Sequence, residues 1–385
     1  MKLILVDGNE ANVKSRVGVS VYTQKLLHEF KKYASSDVRF CVYLRNTPNL
    51  HMPKENQYFR YRVVWGPIFW LRVFLPIRLR YDEFWQNFRK VLKLHTIDLY
   101  AYFAPAHYAP HYLPKRCKLI TTVHDLAYIF FPNEFLKKDR YKLEKWTADA
   151  VLRSSKVIAV SEHTKKDILQ VYGLNTDQVV TVHNGYTPQE KVVDSKQTLL
   201  INGVDYGLEP YHFFLYIGTL QPRKNISTLL YAFAMLHKEH NEYKLVIAGK
   251  KGWMYDEIFE LTKKLKIDHV VHFVGFVSEK DKALLLNKAL CLVFPSLYEG
   301  FGLPILEAFS AGCPVVSSNA SCMPEVAGKA ALYFDPKNAN DILDKLRTIE
   351  SNFSLRHTLI EAGESQLNNF SWESCGKKTL EVILS

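Results

Sequence analysis

At 385 residues, with 48% hydrophobic and 23% charged residues, the chain has the composition of a folded globular protein and the length for two cores rather than one. No stretch is apolar and uncharged for long enough to span a bilayer, and six scattered cysteines without a CxxC pair point away from a disulfide framework or a cysteine metal site and fit a reducing cytosol. The formal net charge of +11 calls for an anionic partner. No recognised nucleic-acid motif accompanies it, which leaves a phosphate-rich substrate or an anionic membrane surface.

The first apolar run, 2–6, stops at Asp7-Gly8. It is short and lacks a small-residue cleavage site, so it reads as a first strand rather than a signal peptide. Val19, Tyr22, Leu26 and Phe30 stand at helical spacing and predict a helix over 18–33. That puts Gly18 at the first βα turn, where backbone often approaches a phosphate. A plain turn ahead of a helix reads equally well.

A second strand covers 38–44. Residues 58–93 then interleave Arg60, Arg62, Arg72, Arg78, Arg80, Arg89, Lys90 and Lys93 with Trp65, Phe69, Trp70, Phe74, Phe84, Trp85 and Phe88, divided by Pro67 and Pro76. Two readings stay open. Cations for lipid phosphates and rings for the headgroup boundary make an interfacial segment. Alternatively the rings are core, Phe84 and Phe88 forming the buried side of a helix, and the arginines are a solvated face.

Runs 98–103 and 118–123 read as parallel core strands. The second ends in His124-Asp125-Leu126, a ligand-facing place where an imidazole can donate to a sugar hydroxyl or handle a proton near neutral pH. A strand over 156–160, a helix over 162–172 and a strand over 179–182 lead to His183-Asn184-Gly185. The poorly patterned polar stretch that follows marks a linker, giving a first domain at 1–190, a linker at 191–210 and a second domain at 211–370.

Strand 213–217 opens that second domain. Arg223 and Lys224 lie in its loop just ahead of a helix starting at Ile226, with Asn225 as a good N-cap. Two cations and a helix dipole there act together on a diphosphate. Strands over 243–248 and 270–273 follow, the latter leading to Gly275-Phe276-Val277, and Ser278 with Asp281 caps the next helix.

The stretch 294–325, FPSLYEGFGLPILEAFSAGCPVVSSNASCMPE, is the most informative. It reads as strand, loop, helix, strand, so its loop lies at the carboxyl end of a parallel strand, where open α/β sheets bind ligands. Pro304 suits the first helical position, Ile305, Leu306 and Phe309 give the helix an apolar side, and Gly312 ends it. Gly300 and Gly302 let backbone approach a ligand closely. The amides of Phe301, Gly302 and Leu303 stand at a helix N-terminus, suited to phosphate or sugar oxygens. Glu299 and Glu307 can both face one small ligand, and a carboxylate accepts two hydroxyl hydrogen bonds at once, as a diol requires.

Glu299-Gly300-Phe301-Gly302-Leu303-Pro304 with Glu307 resembles the nucleotide-sugar motif of retaining glycosyltransferases of family 4. The resemblance implies the α/β GT-B fold, two Rossmann-like domains facing across a cleft, with the last helix, 371–385, packing back on the first. It implies that Glu299 contacts the donor sugar, Glu307 the ribose, and the loop amides the sugar and diphosphate. Arg223 and Lys224 would bind the diphosphate and stabilise the departing charge, backbone at Phe276 and Val277 would meet the base, and Gly18 and His124 would belong to the first domain's contribution. No metal and no cofactor beyond the nucleotide-sugar substrate are expected.

His124-Asp125-Leu126 with Phe131-Pro132 looks like bacterial mannosyl- or rhamnosyltransferases of surface polysaccharides, which makes GDP-mannose the first choice of donor and leaves UDP-sugars open. The implied acceptor is a saccharide or lipid-linked saccharide, with no nucleic acid, and the implied location is cytoplasmic or peripheral at the inner face of the plasma membrane. Two rivals stand beside this reading: a nucleotide-sugar epimerase on the same fold, and a non-catalytic subunit that binds a nucleotide sugar or a membrane. Two glutamates also raise a glycoside hydrolase, which has no use for a cationic diphosphate loop.

Overall fold

The computed structural model describes residues 1–13, 18–66, 70–92, 98–189, 199–252 and 256–385. Pro67, Phe69 and Lys93 of the expected features lie outside the described residues. The chain divides into two units: Met1–Phe130, Phe135–Gly185 and Ser371–Ser385 in one, Phe131–Glu134 and Tyr186–Phe370 in the other.

The first unit holds β1 (Lys2–Asp7), β2 (Val38–Leu44), β3 (Phe59–Val63), β4 (Asp98–Ala104), β5 (Lys118–Val123), β6 (Lys156–Ala159) and β7 (Val179–Thr181). They form one parallel sheet in the order β3-β2-β1-β4-β5-β6-β7. Its helices are α1 (Val19–Tyr33), α2 (Leu75–Val91), α3 (Ala127–Phe130), α4 (Lys137–Arg153) and α5 (Glu162–Tyr172). Alternation along β1 builds two cores: Ile4 and Val6 pack with Tyr22, Leu26 and Phe30, while Leu5 packs with Trp70, Leu75 and Leu79. A sheet covered by helices on both faces has this signature.

The second unit adds a short antiparallel hairpin, β8 (Leu200–Ile201) and β9 (Val204–Asp205). Its main sheet is β10 (Phe213–Ile217), β11 (Lys244–Ala248), β12 (Val271–Gly275), β13 (Cys291–Phe294), β14 (Val315–Ser318) and β15 (Ala331–Phe334). All pairings are parallel, in the order β12-β11-β10-β13-β14-β15. Its helices are α6 (Ile226–Glu239), α7 (Asp256–Lys264), α8 (Glu279–Lys288), α9 (Leu303–Ser310), α10 (Met323–Ala327), α11 (Ala339–Ser351) and α12 (Phe353–Leu367). The last helix, α13 (Trp372–Leu384), belongs to the first unit, where Trp372, Cys375 and Ile383 join the core against α1. The contact is close: a Cβ on Gly376 would stand 2.4 Å from the Cβ of Glu29.

Of the stretch expected as linker, 191–198 lie outside the described residues, and the β8–β9 hairpin clusters with the second unit.

The basic aromatic region is neither wholly core nor wholly surface. Trp70 is buried and donates through Nε1 to the Val64 carbonyl at 2.6 Å. Phe84 is 62% exposed and Phe88 44%, so the expectation that they form the buried side of a helix is overturned. Leu75 and Leu79 take that side instead. Phe84 follows Leu75 by nine positions, which at 3.6 residues per turn is half a turn away.

Candidate functional site

In each sheet the strand order reverses once, between β1 and β4 in the first unit and between β10 and β13 in the second. Such switch points, at the carboxyl ends of the strands, are where open parallel sheets hold ligands. In the second unit, loop 218–225 follows β10 and loop 295–302 follows β13, and they are bonded together. Leu297 N–H donates to the Arg223 carbonyl at 2.8 Å, and Arg223 Nη1 donates to the Tyr298 carbonyl at 2.9 Å.

The chemistry concentrates on Glu299. Its Oε1 accepts from Lys224 Nζ in a short ion pair and from Ser296 Oγ at 2.8 Å, and its Oε2 accepts from Arg223 Nη1 at 3.3 Å. Burial alone would raise this carboxyl, but Lys224 and then Arg223 outweigh it and hold the group below the usual carboxylate range. Glu299 is therefore an anion, and three of its four lone-pair directions are occupied within the protein. One lone-pair direction is left for the expected contact with the donor sugar. Glu299 also fixes the two cations. Backbone supports it in turn, since the Glu299 carbonyl accepts from Ser321 Oγ at 2.6 Å.

The loop carrying the cations is held from two sides. Glu134, in a segment that clusters with this unit, accepts from the Arg223 N–H through Oε2 at 2.7 Å, and Phe131 lies 5.8 Å from the Tyr298 ring. Asn225 does not cap α6 through its side chain as expected. It sits in the left-handed region at φ 58° and donates through Nδ2 to the carbonyls of Pro295 and Pro336, at 3.1 and 2.6 Å. Asn tolerates that backbone better than most residues, and the tie binds the two loops.

Gly302 precedes α9 with φ 90°, a conformation costly for any residue with a Cβ. Pro304 therefore falls at the second helical position, one later than expected, where its missing N–H is still harmless. Phe301 packs its ring against Phe370 at 5.7 Å, and Gly300 and Leu303 flank it and Gly302 in the loop and first helical turn. Glu307, on α9, pairs with Lys282 Nζ at 2.7 Å, and Lys282 also meets Glu279 at 2.9 Å. Burial raises the Glu307 carboxyl, with Lys282 opposing. Phe276 is half exposed, with Lys250 Nζ 4.6 Å over its ring, while Val277 is buried. Ser278 caps α8 as expected, accepting from Asp281 N–H at 3.1 Å.

Gly18 and His124 lie in the first unit. Gly18 stands at the N-terminus of α1 with φ 38° and open space where a Cβ would be. His124 is held between the Tyr22 ring at 4.8 Å and the His107 ring at 5.8 Å, its Nε2 2.7 Å from the Pro105 carbonyl. Burial, then His107, depresses its pKa to about 4. The ring is neutral near pH 7 and gives its Nε2–H to Pro105, so what it offers a ligand is acceptance at Nδ1. The expected donor role and proton handling near neutral pH do not fit this environment. The switch point of the first sheet also holds a cavity, lined in part by lysines of α4, that the sequence reading did not anticipate.

Two Rossmann-like units, each with its ligand position at a reversal of a parallel sheet, make the GT-B fold of glycosyltransferases. Comparison with known proteins agrees. Residues 17–190 match the model of Glycosyltransferase Family 4 and residues 206–366 that of Glycosyl transferases group 1. The chain is 34% identical to O-antigen chain mannosyltransferase B of Escherichia coli over 76% of each chain. It is 27% identical to the serotype-specific mannosyltransferase WbdA of Escherichia coli over 74% of this chain, which spans 35% of that longer protein. Among solved structures, Anabaena Alr3699/HepE in complex with UDP and glucose superposes with a TM-score of 0.72 at 17% identity over 100% of both chains. WaaG, a glycosyltransferase involved in lipopolysaccharide biosynthesis, superposes at 0.67 with 16% identity over 99% of both. The chain belongs to glycosyltransferase family 4, and it is a glycosyltransferase.

Proposed function

We propose that the enzyme transfers a mannosyl residue, with retention at the anomeric carbon, from a nucleoside diphosphate mannose to a hydroxyl of a saccharide acceptor in surface-polysaccharide synthesis. The observation that carries this reading is the Arg223–Lys224 pair, fixed on an ionised Glu299 at the switch point of the second sheet. Transfer replaces the anomeric bond to the diphosphate with a bond to the acceptor oxygen, and the acceptor's proton goes to the departing diphosphate. Charge builds on that leaving group, so preorganised cations stabilise the transition state more than the ground state. Glu307 accepts from the ribose, and the backbone and ring at Phe276 meet the base. No protein-bound metal is required for charge that two cations already meet.

The mannosyl assignment, with GDP as the preferred base, is supported by the named activities of the O-antigen relatives. The UDP-bound neighbours keep a UDP donor as the second reading. The acceptor is lipid-linked, and the exposed rings of α2 among arginines support a peripheral position at an anionic membrane. Incubation with GDP-mannose and a mannose-terminated acceptor, followed by NMR of the new anomeric centre, tests the proposal. An α-linked mannoside formed from the α-configured donor is expected. Hydrolysis alone, an inverted product, or epimerised nucleotide sugar would reject it.

A further inference from the structure

The β8–β9 hairpin forms a small sheet of its own, apart from the main sheet of the second unit. Leu200 pairs with Asp205 and Ile201 with Val204, which leaves Asn202 and Gly203 as the turn, at φ 52° and 78°. Positive φ at both positions is the type I′ turn, and Asn-Gly is its strongest sequence signal. So short a hairpin does not hold itself in water. It is anchored: Ile201 is buried, and the chain just beyond is tied to the main sheet. Lys244 Nζ, on β11, donates to the Tyr206 and Gly207 carbonyls at 3.2 and 2.6 Å, and the Tyr206 ring lies 5.6 Å from that of His272 on β12.

Strand β12 lies at the edge of its sheet. At its carboxyl end the chain turns through Gly275, at φ 73°, into Phe276 and Val277. Glycine there leaves the backbone permissive, yet the carbonyls of Val274, Gly275 and Phe276 are all held. Gly249 N–H donates to Gly275 at 2.8 Å, and Asn202 Nδ2 donates to Val274 at 2.9 Å and to Phe276 at 3.2 Å. A primary amide has two N–H groups, one for each carbonyl, so one side chain pins the turn on both sides of its glycine. Asp would suit the hairpin turn as well, but an ionised carboxylate has no proton to give. Beyond the pinned carbonyls Phe276 presents a half-exposed ring. Main chain and one ring recognise a flat ligand only if the turn is held in place, since a displacement of about 1 Å costs up to about 10²-fold.

We propose that Asn202 is a positioning residue for the donor's base, and that the β8–β9 hairpin is a clasp holding Gly275, Phe276 and Val277 in the conformation that meets it. Asn202 touches the turn and not the nucleotide. This rests on the donor reading above. The clasp acts at the base end of the donor alone, because Arg223 and Lys224 are fixed separately by Glu299.

Calorimetric titration of the full chain with GDP, UDP and inorganic pyrophosphate tests it. Pyrophosphate meets the cations and has no base. The native chain should bind one nucleoside diphosphate at least about tenfold more tightly than pyrophosphate, as a base stacked on a ring contributes. Asn202→Asp and Asn202→Gly both keep a residue suited to the hairpin turn and remove the donated bonds. Each should lose about tenfold for that nucleotide and bind pyrophosphate as the native chain does. A merely structural role would weaken both ligands together. Either variant binding the nucleotide as the native chain does, or losing as much for pyrophosphate, overturns the proposal and leaves the donor reading standing. Native binding of pyrophosphate as tight as that of both nucleotides overturns the base site at Phe276 and the clasp with it. Binding of none of the three overturns the donor reading itself.

Discussion

Lys282 and His124 show how burial sets what a side chain can do. Glu307 is raised by burial and held down by Lys282, 2.7 Å away. A carboxylate must be ionised to accept from a diol, so donor affinity should fall as pH falls through the raised Glu307 pKa. Lys282→Met removes the opposing charge, and the fall should then begin at higher pH; affinity measured from pH 5 to 8 checks this. Superimposable pH profiles would assign Lys282 a structural role only. His124 has its pKa depressed to about 4 by burial, against about 6.5 in an unfolded chain. Between those values the unfolded state binds a proton that the folded state does not, so stability falls as pH falls. One such group contributes up to about 3 kcal/mol by linkage. His124→Gln should flatten the decline in melting temperature between pH 7 and 5; an unchanged slope would contradict the assignment. Residue types were legible in the sequence, but their partners were not. That Glu299 holds Lys224, 75 positions away, is not written in either stretch of sequence.

At the scale of elements, period and punctuation carried far. The bounds of α5, β5 and β10 follow from their apolar runs, and the loop ahead of α9 follows from its glycines and proline. Failures came where hydrophobicity does not mark the core. In α2 the rings that dominate the pattern point to solvent, while Leu75 and Leu79 take the core. Helix α4 carries little apolar signal, with only Thr147, Ala150 and Val151 buried along it, so its lysine face went unread. The α2 surface yields a direct expectation. Native protein should sediment with anionic vesicles at low salt, and Phe84→Ser with Trp85→Ser and Phe88→Ser should abolish this while the melting temperature stays within a few degrees. These side chains are exposed, so their loss opens no cavity. Sedimentation unchanged by the three substitutions would place membrane contact elsewhere.

For the whole molecule, strand order decides where chemistry sits. Parallel strands and crossover helices could be inferred from runs of apolar residues, but the reversal points at β1/β4 and β10/β13 arise from long-range pairing that no local pattern encodes. Arg223, Lys224 and Glu299 become one site because β10 and β13 are neighbours. We propose that this cluster receives the donor diphosphate. Its most direct test is titration of GDP-mannose, beside UDP- and dTDP-linked sugars, into the native enzyme and Lys224→Ala. Saturable binding of one nucleotide family, with kcat reduced about 10²- to 10³-fold in the variant, is predicted. Equal binding and turnover by Lys224→Ala would contradict it and remove the donor site from the second unit's switch point.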